Sequence, residues 1–263
     1  MDLHEYQSKN ILEEHGIFLS KRKLCTSLEG AYNFLETFCY PCMIKAQIHS
    51  GARGKAGLIK KIFNKNEAFD YCKFLFGKLA TTSQVNEPKI INKILIEECV
   101  DIKKELYLSL VINRNASKIN LIFSLNGGIE IENNKDFYIQ EIDPEVGIYS
   151  FQIKELIFEN LKDIEKNVYY ELFNIIKRSV DIFVKYNASL LEINPLVISE
   201  HNRVIPLDAK ISLDDNYVEI AEDLKSLRDF TQENELEVLA KKHDLNYINF
   251  EGDIGCMVNG AGL

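Results

Sequence analysis

The sequence lacks any apolar run near the 18 residues that suggest a membrane-spanning helix. Its opening, MDLHEYQSKN, has neither the basic-then-apolar layout of a signal peptide nor the Arg-rich layout of a transit peptide. We therefore predict a cytoplasmic protein with no membrane partner. Basic residues are outnumbered, 31 against 40 acidic ones, which gives a net charge of −9. This balance argues against a nucleic-acid partner, because such binding depends on neutralising phosphates.

Cysteine occurs six times, mostly inside apolar runs, which predicts buried thiols in a reducing compartment rather than disulfides. Cys39 and Cys42 have the spacing of a redox pair, but the second begins the run CMIKAQI, which is typical of a strand. A redox pair draws its low thiol pKa from a helix N-terminus, so we favour buried thiols in a turn. No second close Cys/His pair completes a zinc site.

The chain also lacks internal repeats and low-complexity tracts, and its 263 residues, 46% hydrophobic, suffice for one large or two modest domains. The first part is predicted to be a small α/β unit ending near residue 102. Its expected elements are helices over 4–15 and 67–76, a helix that begins at the capping box Thr26–Glu29, and strands over 42–48, 58–63 and 90–97.

Alternating polar and apolar residues then predict an antiparallel hairpin over 105–128, which turns at Asn-Arg-Asn. A second hairpin, SLLEINPLVI followed by RVIPLDAKI, turns at residues 200–202. The other expected elements are helices over 153–163, 168–186 and 233–243 and a strand over 254–258.

The segment AQIHSGARGKAG follows an apolar run that ends in Lys45, and it contains three glycines and two cations, Arg53 and Lys55. Glycines let a loop turn consecutive N–H groups toward one anion, and the upstream Lys45 adds charge, so the segment could hold a polyphosphate. It matches neither the P-loop spacing nor the dinucleotide fingerprint. A solvated basic turn between two strands is the alternative.

The second hairpin offers oxygen ligands for Mg²⁺. Glu192 and Asn194 lie on one face of LLEINPLV, and Asp208 lies on the return strand. If the strands pair about His201, Asn194 and Asp208 come to neighbouring rungs. A polar face turned to water is the alternative, but the apolar flanks favour ligands. Glu105, just beyond the strand over 90–97, could accept hydrogen bonds from a ribose, although a solvated glutamate is the commoner outcome.

Seven motifs occur in one order along the whole chain: LHEYQ, KAQIHSGARGKAG, EECVDIKKELYL, NGGIEIE, LLEINPLV, LDAK and GCMVNGAGL. With them the chain resembles the β subunits of ADP-forming succinate–CoA ligases, the succinyl-CoA synthetase family. The resemblance implies an α+β, ATP-grasp fold over residues 1–244, with one subdomain at about 21–102 and a second at about 103–244 plus 1–20. Residues 245–263 would begin a flavodoxin-like CoA-ligase domain, which family members continue beyond this length.

The resemblance also implies roles for residues that occupy the motif positions. Lys45 would contact the α- and β-phosphates, and Ala52, Arg53 and Gly54 would form the phosphate clamp. Glu97 and Val100 would line the adenine hinge, and Glu105 would bind the ribose. Glu192 would help to handle a phosphohistidine, Asn194 and Asp208 would bind Mg²⁺, and Asn259 would contact the substrate.

A ligase of the tricarboxylic acid cycle is implied, which uses Mg²⁺ and ATP or GTP and pairs with an α subunit as a heterodimer or heterotetramer. In the implied reaction, ATP phosphorylates a histidine of the α subunit, the phosphoryl group passes to succinate, and CoA displaces phosphate. The chain departs from the family at Ala52, where a glycine is usual, and at Ala209 of LDAK. Two alternatives stay open, a malate–CoA ligase β subunit and a truncated, non-catalytic nucleotide-binding module.

Overall fold

The computed structural model describes residues 1–83, 85–128, 131, 136–162, 164–243, 245, 247–248 and 252–258. The chain divides into two compact units, Met1–Arg228 and Asp229–Leu263. The first unit contains, in chain order, α1 (Glu5–Glu14), β1 (Arg22–Cys25), α2 (Leu28–Leu35), β2 (Cys42–Ala46), β3 (Ile59–Ile62), α3 (Lys65–Leu75), β4 (Leu79–Thr82), β5 (Val85–Ile90), β6 (Ile94–Glu98), β7 (Ile102–Asn113), β8 (Lys118–Ser124), β9 (Tyr138–Ile142), α4 (Ser150–Asn160), α5 (Lys166–Lys185), β10 (Ala188–Ser199), β11 (Val204–Pro206), β12 (Ala209–Leu213), α6 (Asp215–Ile220) and α7 (Glu222–Lys225). In the second unit a 3₁₀ turn (Phe230–Gln232) precedes α8 (Glu235–Lys241).

The first sheet is antiparallel, with the strand order β1-β6-β2-β3. Helices α2 and α3 pack on it, and each begins at a polar cap: Ser27 accepts a hydrogen bond from the Gly30 N–H, and Asn64 accepts one from the Glu67 N–H. Such caps satisfy N–H groups that have no partner within the helix. The helices and the sheet enclose a core of their own, which includes Leu35, Ile44 and Leu75.

The second sheet is larger, with the order β11-β10-β7-β8-β9 and with β12 paired to β10. The long helix α5 packs on β10 and β7. Its apolar stripe at helical spacing is buried as the periodicity predicts, at Leu172, Ile175, Ile176, Val180 and Phe183. This core also contains the fully buried ring of Phe123.

Helix α1 is anchored on β12, almost the whole first unit away in sequence. The Leu3 N–H donates to the Ile211 carbonyl at 3.0 Å, and the Ile211 N–H donates to Ser8 Oγ at 3.1 Å. The face of α1 that these bonds turn inward is largely polar, because Glu5, Ser8 and Lys9 are buried together with Ile11 and Leu12. This polar face meets the strands that carry the predicted phosphate site.

The two predicted hairpins, about Asn-Arg-Asn and about residues 200–202, are confirmed as β7–β8 and as β10 with β11 and β12. Three local predictions are wrong. Helix α2 is capped by Ser27 rather than Thr26, because the Ser27 hydroxyl reaches the Gly30 N–H. The single strand predicted over 90–97 is two strands. Ile90 ends β5, which pairs with β4, and residues 91–93 separate it from β6. No strand forms over 254–258, where Met257 is 99% exposed.

Among the residues described, no helix combines the length and the apolar character that crossing a membrane requires.

The buried thiols give a chemical test of the first core. Burial raises the pKa of Cys42 to about 12 and that of Cys72 also to about 12, whereas Cys39 is exposed. Because only the thiolate reacts with iodoacetamide, we expect Cys39 to be alkylated at pH 8 while Cys42 and Cys72 stay unmodified in the folded chain. Peptide mass spectrometry after a short exposure checks this, with unfolded protein as the control. Modification of Cys42 as fast as that of Cys39 would contradict the fold at β2.

Candidate functional site

Six charged side chains from five parts of the first unit meet in what we call the ion cluster. It contains three cations and three carboxylates: Lys9, Lys45 and Arg53, and Glu5, Glu97 and Asp208. Five of the six are buried, and Asp208 keeps a third of its side chain, 34%, exposed. Charges are taken out of water only when they are paired, so the equal numbers of the two signs make the cluster tenable.

Two neighbouring strands of the first sheet supply one pair of the cluster. Lys45 on β2 lies opposite Leu95 of β6, and Glu97 lies two residues further along, on the same face. The Lys45 ammonium therefore reaches the Glu97 carboxylate at 2.7 Å. It also donates to the Leu207 carbonyl at 2.6 Å, which ties the first sheet to the segment before β12.

Helix α1 supplies the centre of the cluster. Glu5 Oε1 is 2.8 Å from the Lys45 ammonium and 2.9 Å from the Lys9 ammonium, and Glu5 Oε2 is 2.8 Å from Arg53 Nη2. Lys9, only 1% exposed, also contacts Glu97 at 2.6 Å. Neither Glu5 nor Lys9 was predicted from the sequence, where Glu and Lys four residues apart indicate a solvated helix pair.

The pKa shifts follow from these contacts. Burial acts to raise the pKa of Glu5, but attraction to Lys45, Lys9 and Arg53 outweighs it and holds that pKa well below the ordinary value. For Lys45, burial acts to lower the pKa, and Glu5 and Glu97 raise it above that of a free lysine. Burial, reinforced by Glu5, raises the pKa of Asp208 despite the attraction of Arg53. The pKa of Asp208, the most exposed member, is thus shifted in the opposite direction to that of Glu5.

The glycine-rich segment after β2 folds back on itself. The N–H groups of Ala56, Gly57 and Leu58 donate to carbonyls of the same segment, at 3.2, 3.1 and 3.0 Å. Ala52 adopts φ 54°, a left-handed conformation that suits the glycine expected there and that alanine adopts at a cost.

The three residues of the predicted clamp, Ala52, Arg53 and Gly54, differ in exposure. Arg53 turns inward, where its Nη1 donates to the Ala46 carbonyl at 2.9 Å and its Nη2 pairs with Asp208, also at 2.9 Å. Gly54 is exposed, as is Lys55 next to it. The segment thus presents one cation inside the ion cluster and another toward solvent.

The predicted metal ligands lie side by side. The Asn194 N–H donates to the Asp208 carbonyl at 3.2 Å, which sets the two residues at adjoining positions of β10 and the strand connection. The Asn194 side chain is bonded to the double glycine of NGGIEIE: its Oδ1 accepts from the Gly128 N–H at 2.7 Å, and its Nδ2 donates to the Gly128 carbonyl at 3.3 Å. Asp208 is paired with Arg53.

These two residues fit a Mg²⁺ ion that also takes ligands from phosphates and water. Mg²⁺ is commonly held by one or two protein carboxylates together with substrate phosphates, and it keeps several waters. Within the ranges that the structure describes, no group of three or more His, Cys, Asp and Glu side chains is placed to hold a metal. Asn194 and Asp208 are therefore an incomplete pair of oxygen ligands, with the Asp208 carboxylate partly open to solvent.

Glu192 lies on β10, opposite Ser109 of β7 and Lys210 of β12. Burial raises its pKa, the charge of Lys210 opposes that shift, and Asp208 adds to it. A half-buried carboxyl beside the proposed ligands can accept a hydrogen bond from an incoming group. Glu105 lies on β7, opposite Val197 of β10. Its carboxylate lies next to Gly128 and is not part of the ion cluster.

The remaining predicted residues are the adenine-hinge residues Glu97 and Val100 and the substrate residue Asn259. Glu97 turns its side chain into the ion cluster, so only its backbone is available to a base, whereas Val100 follows β6 and is half-buried. Asn259 lies outside the described residues. The structure therefore brings together Lys45, Arg53, Glu97 and Asp208, and sets Glu105 apart from them.

The sequence matches the ATP-grasp domain family over residues 2–198. It is 40% identical to the succinate–CoA ligase [ADP-forming] subunit beta of Aquifex aeolicus, over an alignment of 269 residues. The alignment covers all of this chain and 69% of that relative. The subunit of the same name from Geobacillus kaustophilus is 39% identical over 270 residues, again with all of this chain and 69% of the relative covered.

Two solved structures share the fold at low identity. An ATP citrate lyase from Methanothrix soehngenii, in complex with citrate and coenzyme A, superposes with a TM-score of 0.71 at 22% identity, covering 92% of this chain and 59% of that one. An acetyl-coenzyme A synthetase from Ca. Korarchaeum cryptofilum, with a phosphorylated phosphohistidine segment, superposes with a TM-score of 0.59 at 19% identity. The match covers 81% of this chain and 93% of that one.

Proposed function

The chain belongs to the family of succinate–CoA ligase β subunits and carries their ATP-grasp domain, and from this we propose that it binds Mg·ATP at the ion cluster and supplies the phosphoryl group for succinyl-CoA interconversion. The observation that carries the proposal is the placement of Lys45 and Arg53. Both cations are buried and share one carboxylate, and Arg53 also contacts Asp208, beside Asn194.

The cations account for phosphate binding. Lys45 is a charged point donor, and Arg53 presents two N–H groups in a fixed plane. Together they offset the charge of phosphate oxygens as it develops during phosphoryl transfer, where catalysis is positioning and electrostatic stabilisation rather than covalent chemistry by the protein. The segment 51–57, with Gly54 exposed, closes over them as the clamp.

Asn194 and Asp208 are the proposed Mg²⁺ ligands, and when bound the ion would neutralise phosphate charge between them. To hold the ion, the Asp208 carboxylate would have to give up Arg53, and Asn194 Oδ1 would have to give up the Gly128 N–H. The backbone hydrogen bond between the two residues does not involve these side-chain atoms, so it would hold their spacing with an ion bound.

The remaining roles follow the family. The backbone from Glu97 to Val100 reads the base, Glu105 accepts from the ribose hydroxyls, and Asn259 contacts the substrate. Glu192, half-buried beside Asn194, orients the histidine of an α subunit that receives the phosphoryl group before succinate and CoA react. We further propose that residues 1–244 form the ATP-grasp part, with residues 245–263 opening the CoA-ligase part.

Isothermal titration calorimetry of the 263-residue chain with Mg·ATP tests the nucleotide site. We expect micromolar to millimolar affinity, and the same titration with Mg·GTP measures the base preference. Circular dichroism establishes that the sample is folded. A folded sample that takes up neither nucleotide would rule out the proposal.

Replacing Asp208 by asparagine tests the proposed Mg²⁺ site independently of the phosphate-binding cations. Asp208→Asn removes the only carboxylate of the proposed Mg²⁺ pair, so half-maximal ATP binding should need roughly tenfold more Mg²⁺. Because Glu5 still pairs with Arg53, we expect the melting temperature to change little. Titrating Mg²⁺ at fixed ATP measures the effect, and Asp143→Asn, which breaks an ion pair with Lys118 elsewhere, is the control. An unchanged Mg²⁺ requirement would remove Asp208 from the site.

A further inference from the structure

Glu5 belongs to the LHEYQ motif, but the family resemblance assigns it no role, and the structure places it at the centre of the ion cluster. One carboxylate oxygen contacts the ammonium groups of Lys9 and Lys45, and the other contacts Arg53 Nη2 and, at 3.3 Å, the Gln47 amide. The carboxylate thus stands between the two cations assigned to the phosphates, and it is almost fully buried. It cannot reach a ligand without leaving them.

We propose that Glu5 is a positioning residue for the nucleotide phosphates, which fixes the spacing and direction of Lys45 and Arg53 from the N-terminal helix. The inference rests on the proposed nucleotide site. Each oxygen of Glu5 binds one of the two cations, so the carboxylate sets their separation in the way that a bound phosphate requires.

The second reason is the exchange expected at Asp208. Arg53 has two carboxylate partners, Glu5 at 2.8 Å and Asp208 at 2.9 Å. If the Asp208 carboxylate turned to Mg²⁺, Arg53 Nη2 would keep Glu5 as its carboxylate partner, while Arg53 Nη1 would still donate to the Ala46 carbonyl. Glu5 lies on the buried side, away from this exchange, and keeps one N–H group of Arg53 in place throughout.

Lys9 balances the charge that this role requires. Glu5 and Glu97 are both buried, and Lys45 alone would supply one positive charge for these two negative charges. Lys9 supplies a second positive charge, because its ammonium contacts both carboxylates and donates to the Leu207 carbonyl. Three cations and three carboxylates leave the empty site neutral, which limits the electrostatic cost of holding Lys45 and Arg53 together.

The test is a charge-balanced pair of changes. Glu5→Gln alone leaves one unbalanced buried cation, so it can lower stability and strengthen anion binding at once. The double variant Glu5→Gln with Lys9→Met keeps the cluster neutral and leaves Lys45 with Glu97 and Arg53 with Asp208. Glu14→Gln, an exposed change on the same helix, is the matched control.

Calorimetry with Mg·ATP, and displacement by adenosine, distinguishes positioning from general stabilisation. We expect the double variant to lose at least tenfold in ATP affinity and less than twofold in adenosine affinity, and Glu14→Gln to change neither by twofold. Equal ATP affinity in the double variant and the unmodified chain would overturn the proposal, as would parallel losses for ATP and adenosine. No binding by the unmodified chain would refute the nucleotide site itself.

A measurement on the unmodified chain covers the case in which the variants do not fold. In ¹⁵N NMR spectra, the Lys45 Nζ and Arg53 Nη protons should be protected from exchange with water before ATP is added, because Glu5 already holds both groups. They should remain protected with ATP bound. Rapid exchange before addition, followed by protection afterwards, would mean that ATP rather than Glu5 orders the cations.

Discussion

Lys45→Ala is expected to weaken Mg·ATP binding by roughly ten- to a hundredfold, the equivalent of one charge-assisted hydrogen bond of about 1.5–3 kcal/mol. The lysine is the cation of β2 that faces the proposed phosphate position, and Glu5 and Glu97 raise its pKa, which favours the charged form. Calorimetry of variant and unmodified chain under one set of conditions measures the ratio.

The same change is expected to lower the free energy of unfolding by about 3–5 kcal/mol, because it leaves Glu5 and Glu97 buried with one cation fewer. Lys60→Ala on the adjoining strand is the control. Its ion pair with Glu67 is half-exposed, so its removal should cost less than about 1 kcal/mol. Urea unfolding of both variants provides the comparison, and equal losses would show that the ion cluster is solvated rather than buried.

Gly127→Ala is expected to destabilise the first unit by about 3 kcal/mol or more, since overpacking against a backbone cannot be relieved by a change of rotamer. A Cβ at this position would lie within 2.7 Å of the Leu106 carbonyl carbon of β7, and the Gly127 N–H donates to the Glu105 carbonyl at 3.3 Å. The close approach therefore needs a residue without a side chain. Thermal or urea unfolding measures the loss.

Gly54→Ala is the comparison for this change, because a Cβ there meets no atom within 4 Å. We expect its unfolding free energy to stay within about 1 kcal/mol of the unmodified chain. Displacing Gly127 should also move Gly128 away from Asn194, so the Mg²⁺ dependence of any ATP binding by Gly127→Ala should change. If both alanine variants are equally stable, β7 and the double glycine do not touch as described.

Much of the fold could be predicted from the sequence, because local patterns decide it. The stripe on α5 and the alternation in β7 and β8 are periodic over many residues, and the structure buries them as expected. The pairing of β10 with its return strand also follows from one turn, and it sets Asn194 beside Asp208. The ATP-grasp fold and the α+β class are confirmed.

The centre of the site could not be predicted, because it depends on contacts between distant segments. Glu5 and Lys9 form an ordinary helix pair in the sequence, and only the docking of α1 turns them toward Lys45 and Glu97. The bond between Asn194 and Gly128 also joins residues 66 positions apart. The strand predicted over 90–97 was wrong because the polar pair Asn92 and Lys93 lies in the break between β5 and β6, which the prediction joins into one strand.

The docking of α1 on β12 also bears on how the chain is made. Ser8 and Ile211 are 203 residues apart, so the helix that is synthesised first has no partner strand until the last strand of the unit has emerged. Closing so long a loop is costly in entropy, and folds rich in such contacts assemble slowly. Through most of synthesis, Lys45 and Glu97 would be paired in the first sheet while Arg53 waits for Glu5. The phosphate-binding arrangement is therefore expected to be the final step of folding, and a nascent chain would remain unable to hold nucleotide until that step is complete.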